Sequence, residues 1–380
     1  MRKGKARAFF RIFLLIIVVL VIVLWVTGNN YVYKTLVYNF PGIDDLEIFD
    51  SRKVEAGSPQ PWPVSTSANT IELPADFQEE IKKTETVSFL VIRNDSIVYE
   101  QYFDEYDKDS VSNSFSAAKS IVGILTGIAV GDGLINVDDP VGKYLPGFNT
   151  GDNVKLRIRH LLTMSSGLNW DESYSSLFSP TTKAYYGKEL EELVLGLKVV
   201  EEPGRVFRYM SCNTVLLGLI VSRVTGMSLT DFASQRLWKK IGAENPAYWS
   251  IDHENGIEKS YCCFYSNARD FARIGKLYLD SGKWNGQALV PTDYFLASVT
   301  PADLTDANGS MNTWYGYQWW LMNSSAGPVY YARGILGQYI IDVPGKNMII
   351  VRLGRKRGEK TPDNHYSDMV AYTEGVLKVF

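Results

Sequence analysis

The order in which strand-like and helix-like segments follow one another most constrains the fold of this chain. Two β-rich runs, 87–91 and 97–99, flank Asn94-Asp95 and predict a hairpin. The middle of the chain shows helical periodicity instead, over about 140–260. Four more β-rich runs follow in the last third, at 316–322, 329–333, 338–343 and 348–353. A sheet must therefore be assembled from both ends of the chain, which predicts an α+β fold with a helical insertion. Further helices are expected at 116–130, 266–281 and about 366–379.

The N-terminal segment combines a basic tip with an uncharged apolar run. Residues 1–11 are rich in arginine and lysine, and residues 12–26 carry no charge. This run predicts a transmembrane helix, although it is shorter than the roughly 20 residues of a comfortable span. A cleaved signal peptide is the alternative, but no A-x-A-like site follows the run. Because basic residues stay inside, we expect a single-pass protein of the bacterial inner membrane, with its body on the periplasmic or extracytoplasmic side.

These patterns divide the chain into three parts. Residues 1–28 are expected to form a cytoplasmic tip and a transmembrane anchor in the lipid bilayer. Residues 29–84, which include the proline-rich stretch 58–63, are expected to form an extracytoplasmic linker or N-terminal extension, because such composition suits an extended spacer. Residues 85–380 are expected to form the folded domain.

Charge and composition exclude several functional classes. The net charge of −3, with acids and bases interspersed, leaves no electrostatic footprint for nucleic acid. The three histidines lack the spacing of a metal site, so neither a metal nor an organic cofactor is expected, and their scarcity disfavours a Ser-His-Asp triad. Cys212, Cys262 and Cys263 do not form a disulfide framework. They are interpreted as buried thiols, with a bridge from Cys212 to one of the others as the alternative.

Ser116-Ala117-Ala118-Lys119 is the S-x-x-K sequence of the chain. It opens the apolar helix expected at 116–130, which places Ser116 and Lys119 one turn apart on the same face. Apolar residues follow Lys119 and predict a desolvated amine, whose pKa falls because burial penalises the charged form. Ser116 is therefore the candidate nucleophile and Lys119 its activating base. A surface helix start with a solvated lysine is the alternative.

A second constellation begins at Pro203 and reads P-G-R-V-F-R-Y-M-S-C-N-T-V-L-L-G-L-I. It resembles the P-G-x-x-F-x-Y-x-N-x-x-x-x-L-L-G segment of class C β-lactamases and their esterase and amidase relatives. The resemblance places Tyr209 at the family's catalytic tyrosine, where a phenol beside a cationic lysine relays a proton. R-H-L-L-T-M-S-S-G-L at 159–168 and S-N-A-R-D-F-A-R at 266–273 match further family segments. The resemblance implies the β-lactamase/transpeptidase-like fold, an antiparallel sheet flanked by helices with an all-helical insertion.

The departures from the family pattern concern the substrate side of the site. Ser211 stands where the family usually has asparagine, and Asn213 follows two residues later. This Tyr-x-Ser variant resembles the 6-aminohexanoate-oligomer hydrolase branch, which cleaves linear amides, and we expect Ser211 and Asn213 to bind substrate.

The Lys-Thr-Gly or His-x-Gly element of the family corresponds to A-R-G-I-L-G-Q at 332–338. Its lysine is absent, so the resemblance does not imply β-lactam turnover. Arg333 is either a substrate clamp or a plain strand residue. Gly334 permits close approach of a backbone, and the amides of Ser116 and Ile335 are predicted to form the oxyanion hole.

The predicted function is a membrane-anchored serine hydrolase that cleaves a small-molecule ester, amide or peptide through an acyl-enzyme on Ser116. Trp170 and Tyr174 either build an aromatic wall for an apolar acyl group or pack under a loop. One alternative is a D-alanyl-D-alanine carboxypeptidase of the penicillin-binding type. The other is a catalytically silent sensor or binding protein on the same fold.

Overall fold

Twelve α-helices and twelve β-strands lie within residues 2–380, the part of the chain that the structure describes. In this computed structural model side chains are described from Lys5 onward. The helices are α1 (Arg2–Val26), α2 (Tyr31–Tyr38), α3 (Ala75–Lys83), α4 (Ala118–Gly131), α5 (Ile158–Leu162), α6 (Pro180–Tyr186), α7 (Leu190–Leu195), α8 (Ser211–Thr225), α9 (Leu229–Ala233), α10 (Ala268–Leu279), α11 (Thr292–Ser298) and α12 (Ser367–Val379). The strands are β1 (Ser51–Val54), β2 (Thr86–Arg93), β3 (Ser96–Tyr102), β4 (Ser112–Asn113), β5 (Ala247–Ser250), β6 (Phe264–Ser266), β7 (Lys283–Trp284), β8 (Gln287–Ala288), β9 (Trp320–Ser324), β10 (Gly327–Gly334), β11 (Gln338–Val343) and β12 (Met348–Gly354).

The central antiparallel sheet joins the two ends of the chain. Its strand order is β3-β2-β12-β11-β10-β9, so the first hairpin pairs with the C-terminal strands. Leu90 and Ile92 of β2 face a core shared with α4, α8 and α10. Phe89 and Val91 face the opposite core, shared with α3 and α12. Seven of the eight residues of β2 are buried, because both faces of the sheet are covered. The predicted α+β fold is confirmed.

A second, smaller sheet supports the backbone around Ser116. Its order is β1-β5-β6-β4, and its strands are too short to show a periodicity in the sequence. β4 pairs with β6, and β1 pairs with β5. β5 lies inside the region expected to be wholly helical, which otherwise contains α5 to α9.

Residues 29–84 pack against the body of the protein as an N-terminal extension and do not form a free spacer. α2 packs on the body of the protein through Tyr31 and Val32, both buried. β1 adds a strand to the second sheet. The Trp62 indole is buried and donates a 2.9 Å hydrogen bond from Nε1 to the Arg269 carbonyl. Apolar burial outweighs the proline-rich composition here and ties the segment to the folded body.

α1 extends away from the body with its apolar side chains exposed, apart from the half-buried Leu24. Among the described residues, α1 is the helix that is by itself long and apolar enough to cross a membrane. An N-terminal signal sequence has the same length and composition.

The other expected elements are present with shifted ends. Asn94 and Asp95 form the predicted hairpin turn, both with positive φ. β9 begins only at Trp320, because the preceding residues bend around Gln318, whose side chain donates to the carbonyls of α5. α10 begins after Asn267, which caps it by accepting a hydrogen bond from the Asp270 amide.

Candidate active site

Ser116 lies in a 3-10 turn, residues 115–117, between β4 and α4. The helix expected to begin at Ser116 therefore begins two residues later. Phe115 has a φ of +43°, a strained conformation for a bulky residue. It is held there by a 2.9 Å hydrogen bond from its amide to the Asn113 Oδ1, while the Ser114 amide donates to the Phe264 carbonyl of β6. The second sheet thus fixes the backbone that presents Ser116.

Lys119 lies directly beneath Ser116. Its Nζ is 2.9 Å from Ser116 Oγ and donates a second hydrogen bond, also 2.9 Å, to the Tyr261 carbonyl. The side chain is 1% exposed, and no carboxylate pairs with it among the described residues. Burial lowers the pKa of Lys119 to about 8, an effect that Glu172 opposes and Arg333 reinforces. This amine is therefore partly neutral near physiological pH.

Tyr209 approaches the same pair from the segment before α8. Lys119 Nζ is 5.0 Å from the centre of the Tyr209 ring. The ring is fixed by edge-to-face and tilted contacts with Tyr315 and Trp320. Burial raises the pKa of the Tyr209 phenol, and Ser116, which lies close enough to interact with it, partly offsets that rise. The structure therefore brings Ser116, Lys119 and Tyr209 together, although more than 90 residues separate the first from the last.

Ser116 lines a cavity of about 440 Å³, the Ser116 cleft. Its volume lies within the usual range for small-molecule sites. Its walls come from α2 and residues 39–41, the loop 174–177, α6, and Ile335-Leu336 after β10. A hollow of about 700 Å³ between α3 and β3 shares no lining residue with this cleft and does not include the Ser116–Lys119 pair.

Glu172 organises one wall of the cleft and is a residue that the sequence analysis missed. Its Oε2 accepts hydrogen bonds from Trp170 Nε1 and the Ser211 amide, each 2.7 Å. Its Oε1 accepts from the Tyr174 and Ser211 hydroxyls, each 2.6 Å. Four donors on one carboxylate lock the loop 170–174 to the start of α8. The alternation W-x-E-x-Y was the available signal, because it places all three side chains on one side of an extended segment.

The predicted substrate-side residues separate into two groups. Ser211, Tyr174 and Ile335 line the Ser116 cleft. Trp170 is buried, donates to Glu172 and is not among the residues that line the cleft. Asn213 has no exposed surface and donates to the Met164 sulfur from within α8. Its position does not support the predicted contact with substrate, because two further residues, just over half a helical turn, direct the side chain into the core.

The strand beside Ser116 shows why a glycine stands at 334. A Cβ at Gly334 would lie 2.2 Å from the Ser114 carbonyl oxygen, so any side chain would push β10 away from the Ser116 turn. Arg333 points elsewhere: its guanidinium stacks 3.3 Å over the Trp320 ring and donates to the Asn364 carbonyl. The cation that lines the cleft is Arg357, which the sequence analysis missed.

Two of the three cysteines are bonded to each other, and the third is a buried thiol. Cys262 and Cys263 are bonded to each other, and Cys262 lines the Ser116 cleft. Cys212 is a buried thiol in the first turn of α8. Cys212 is a buried thiol as the sequence indicates, and the alternative bridge from it is not formed, because the two adjacent cysteines are bonded to each other.

Comparison with known proteins gives concordant results. A family model described as "Beta-lactamase" matches residues 75–372. The 6-aminohexanoate-dimer hydrolase of Paenarthrobacter ureafaciens is 27% identical over 296 residues, which cover 73% of this chain and 74% of that protein.

Solved structures agree on the fold. A Bacillus anthracis protein provisionally described as a 6-aminohexanoate-dimer hydrolase aligns with a TM-score of 0.76 at 21% identity, over 89% of this chain and 92% of that one. A family VIII carboxylesterase aligns with a TM-score of 0.65 at 15% identity, over 84% and 99% respectively. These likenesses establish the fold that the sequence motifs imply.

Proposed function

Because this chain belongs to the beta-lactamase family, we propose that it is a serine hydrolase that cleaves an ester or amide through an acyl-enzyme on Ser116. The observation that carries the proposal is the 2.9 Å approach of a buried lysine amine to the Ser116 hydroxyl. A solvated lysine remains protonated at neutral pH, whereas burial lowers the pKa of Lys119 to about 8 and makes a neutral base available.

The proposed reaction begins when neutral Lys119 accepts the Ser116 proton. One of its two N–H groups continues to donate to the Tyr261 carbonyl, which aims the lone pair at Ser116 Oγ. Oγ then bonds to the substrate carbonyl carbon, and the negative oxygen is stabilised by the amides of Ser116 and Ile335, a contribution of about 3–4 kcal/mol per donor. Tyr209 passes the proton to the leaving alcohol or amine. Water finally hydrolyses the acyl-enzyme and restores the Ser116 hydroxyl.

The similar proteins indicate which type of bond the enzyme cleaves. The chain shares 27% identity with an amide hydrolase that acts on a 6-aminohexanoate dimer, and shares its fold with a carboxylesterase. Both chemistries use the same acyl transfer, so we propose an ester or linear amide as substrate. A D-alanyl-D-alanine peptide is the second candidate, favoured by Arg357, since a guanidinium in the cleft suits a terminal carboxylate.

We further propose that α1 anchors the protein in the membrane with the catalytic body on the extracytoplasmic side. No residue in the apolar window of the helix is fully buried, and arginine and lysine lie at the N-terminal end of the helix. The Cys262–Cys263 bond is consistent with that location, because disulfides persist in oxidising compartments.

Serine-directed labelling tests the proposed nucleophile. A fluorophosphonate probe should label the wild-type protein at Ser116, and the Ser116→Ala variant should lose both labelling and hydrolysis of a short-chain p-nitrophenyl ester, by about 10⁴-fold or more. Ser175→Ala is the matched control, because Ser175 also lines the cleft but has no lysine beside it. Retained turnover in folded Ser116→Ala protein, or an unlabelled wild type, would reject the proposal in favour of a catalytically silent protein.

A further inference from the structure

The end of the apolar helix is attached to the body right beside the Ser116 cleft. α1 ends at Val26 and α2 begins at Tyr31. The Tyr33 hydroxyl donates a 2.9 Å hydrogen bond back to the Val21 carbonyl of α1. α2 itself is docked, because Tyr31 and Val32 are buried in the main core. The connection between span and body is therefore short and structured, and does not behave as a long flexible tether.

The same segment continues into the wall of the cleft. Thr35 of α2 and the following residues Asn39, Phe40 and Pro41 line the cavity that contains Ser116. The Asn39 carbonyl accepts a 3.1 Å hydrogen bond from the Tyr186 hydroxyl of α6, which closes this corner. The five Cα–Cα steps from Val26 to Tyr31 span at most about 18 Å, and α2 rises about 6 Å between its start and Thr35. The edge of the cleft therefore lies within about 24 Å of the end of α1.

The edge of the cleft carries exposed apolar side chains. On α2 and just after it, Leu36, Val37 and Phe40 are 65%, 75% and 73% exposed. Across the opening, Leu177 lines the cleft and its neighbour Phe178 is 65% exposed. Large exposed apolar groups that cluster at the mouth of a cavity mark a surface that meets another apolar phase. Here the apolar mouth is continuous with a helix long enough to enter a bilayer.

We propose that the Ser116 cleft opens onto the membrane surface and that its substrate is a bilayer-resident amphiphile, a long-chain acyl ester or amide. This inference rests on the proposed hydrolase activity and on the proposed anchor. The apolar chain enters between α2 and the loop 174–178, which leaves the reactive carbonyl at Ser116. The acyl carbon bonds to Ser116 Oγ as the alcohol or amine departs with a proton, and water then releases the free acid. No further reactant is required.

Polar substitution of the mouth provides the test. Leu36, Val37 and Phe178 do not line the cavity, so a triple Asn variant changes the rim alone. Full-length protein is reconstituted in phosphatidylcholine vesicles and assayed with two esters. One is 4-methylumbelliferyl oleate dissolved in the bilayer, and the other is water-soluble p-nitrophenyl butyrate. The rim variant should lose about tenfold or more of its activity on the oleate, because apolar contacts at the bilayer are lost, and retain its activity on the butyrate.

A second triple Asn variant, at Val154, Val200 and Leu296, is the matched control, since these exposed apolar residues do not border the cleft. It should match the wild type on both esters. Equal effects of the rim substitutions on the two esters would overturn the membrane-surface inference while leaving the hydrolase intact. Failure of the wild type to cleave either ester would instead reject the proposed function.

A direct binding measurement distinguishes bilayer contact from a soluble partner. An environment-sensitive NBD label on Val37→Cys should shift to the blue in vesicles and be quenched by nitroxide lipids, whereas the same label on Val200→Cys should not. The native thiol Cys212 is buried and does not compete for the label. An unquenched label at position 37 would overturn the proposal, whatever the kinetics show.

Discussion

The pH dependence of hydrolysis measures the property on which the proposed mechanism depends, the proton affinity of Lys119. Burial lowers the pKa of Lys119 to about 8, whereas a lysine in water has a pKa of about 10.4. Only the neutral amine can accept the Ser116 proton. The rate must therefore rise with pH as the neutral fraction rises.

The size of the rise follows from that pKa. The neutral fraction is about 1% at pH 6, about 9% at pH 7, about half at pH 8 and about 90% at pH 9. We expect kcat/KM to increase about tenfold between pH 6 and 7 and about tenfold again between pH 7 and 9, and then to level off. A lysine with an unshifted pKa would give a rate still rising tenfold per pH unit at pH 9.

Neither the Tyr209 phenol nor the His160 imidazole should add a second step to the rise of kcat/KM between pH 6 and 9. Burial raises the pKa of Tyr209, so the phenol stays protonated over the same range. Burial lowers the pKa of His160 to about 4, so its titration is complete at lower pH. A single ascending limb is therefore expected between pH 6 and 9.

The assay is initial-rate hydrolysis of a short-chain p-nitrophenyl ester by detergent-solubilised protein, followed at the isosbestic wavelength of the product. Ser116→Ala protein at each pH supplies the background of spontaneous and non-specific hydrolysis. A flat profile from pH 6 to 9, or a limb still rising steeply at pH 9, would refute the assignment of Lys119 as the base.

Four further predictions follow from individual contacts. Glu172→Gln should move the kcat/KM limb to lower pH, because the Glu172 charge raises the pKa of Lys119; an unmoved limb in the same assay would contradict this coupling. Lys119→Met should abolish turnover yet stabilise the fold by on the order of 3 kcal/mol below pH 8 in denaturant titrations, an advantage that fades towards pH 10.4 as the unfolded lysine also becomes neutral. Asp342 is buried with neither carboxylate oxygen hydrogen-bonded among the described residues, and burial raises its pKa. The folded protein keeps the Asp342 proton, whereas the unfolded chain loses it above about pH 4. The free energy of unfolding should therefore fall with rising pH by up to about 1.4 kcal/mol per pH unit, and Asp342→Asn should remove that slope. Gly334→Ala should reduce kcat by about 10²-fold or more, because its Cβ would collide with the Ser114 carbonyl and displace the oxyanion wall; wild-type kcat in this variant would show that the strand yields without consequence.

The local parts of the structure were those that the sequence could predict. β2, β11 and β12 are six to eight residues long, buried almost throughout and rich in aliphatic and aromatic residues, so their composition reveals them. The hairpin turn at Asn94 was predictable because asparagine tolerates positive φ. The nearness of Ser116 and Lys119 needed only the geometry of a helical turn.

The parts that depend on distant pairing could not be predicted in this way. β1 pairs with β5 almost 200 residues later, and neither strand exceeds four residues. α2 packs on a surface formed elsewhere in the chain, and the sequence of the helix does not reveal that surface. The sequence alone therefore assigned this short apolar helix to a polar spacer. These two contacts turn the predicted linker into part of the catalytic body.

The hydrogen bonds of Glu172 could not be predicted from the sequence for a related reason. Trp170 and Tyr174 drew attention as aromatic residues in a loop, whereas a single carboxylate between them resembles any surface acid. Its importance appears only when the start of α8 brings the amide and hydroxyl of Ser211 within 2.7 Å. Hydrogen bonding of this density requires the tertiary structure.

The proposed mechanism requires that the cleft exclude water from Lys119 and also admit substrate to Ser116. Water that enters beside Lys119 would restore the pKa of the amine towards its solvated value, yet substrate must reach Ser116 through the same opening. An apolar mouth reconciles the two demands, because an acyl chain that fills the cleft displaces water as it brings the carbonyl to Ser116. The bound complex should therefore hold Lys119 in a drier environment than the free enzyme does. Since kcat reports the complex and kcat/KM the free enzyme, the ascending limb of kcat for a long-chain ester should lie at lower pH than the limb of kcat/KM. For a short ester that leaves the mouth unfilled, the two limbs should coincide; a common limb for both esters would contradict this account of how the site stays dry.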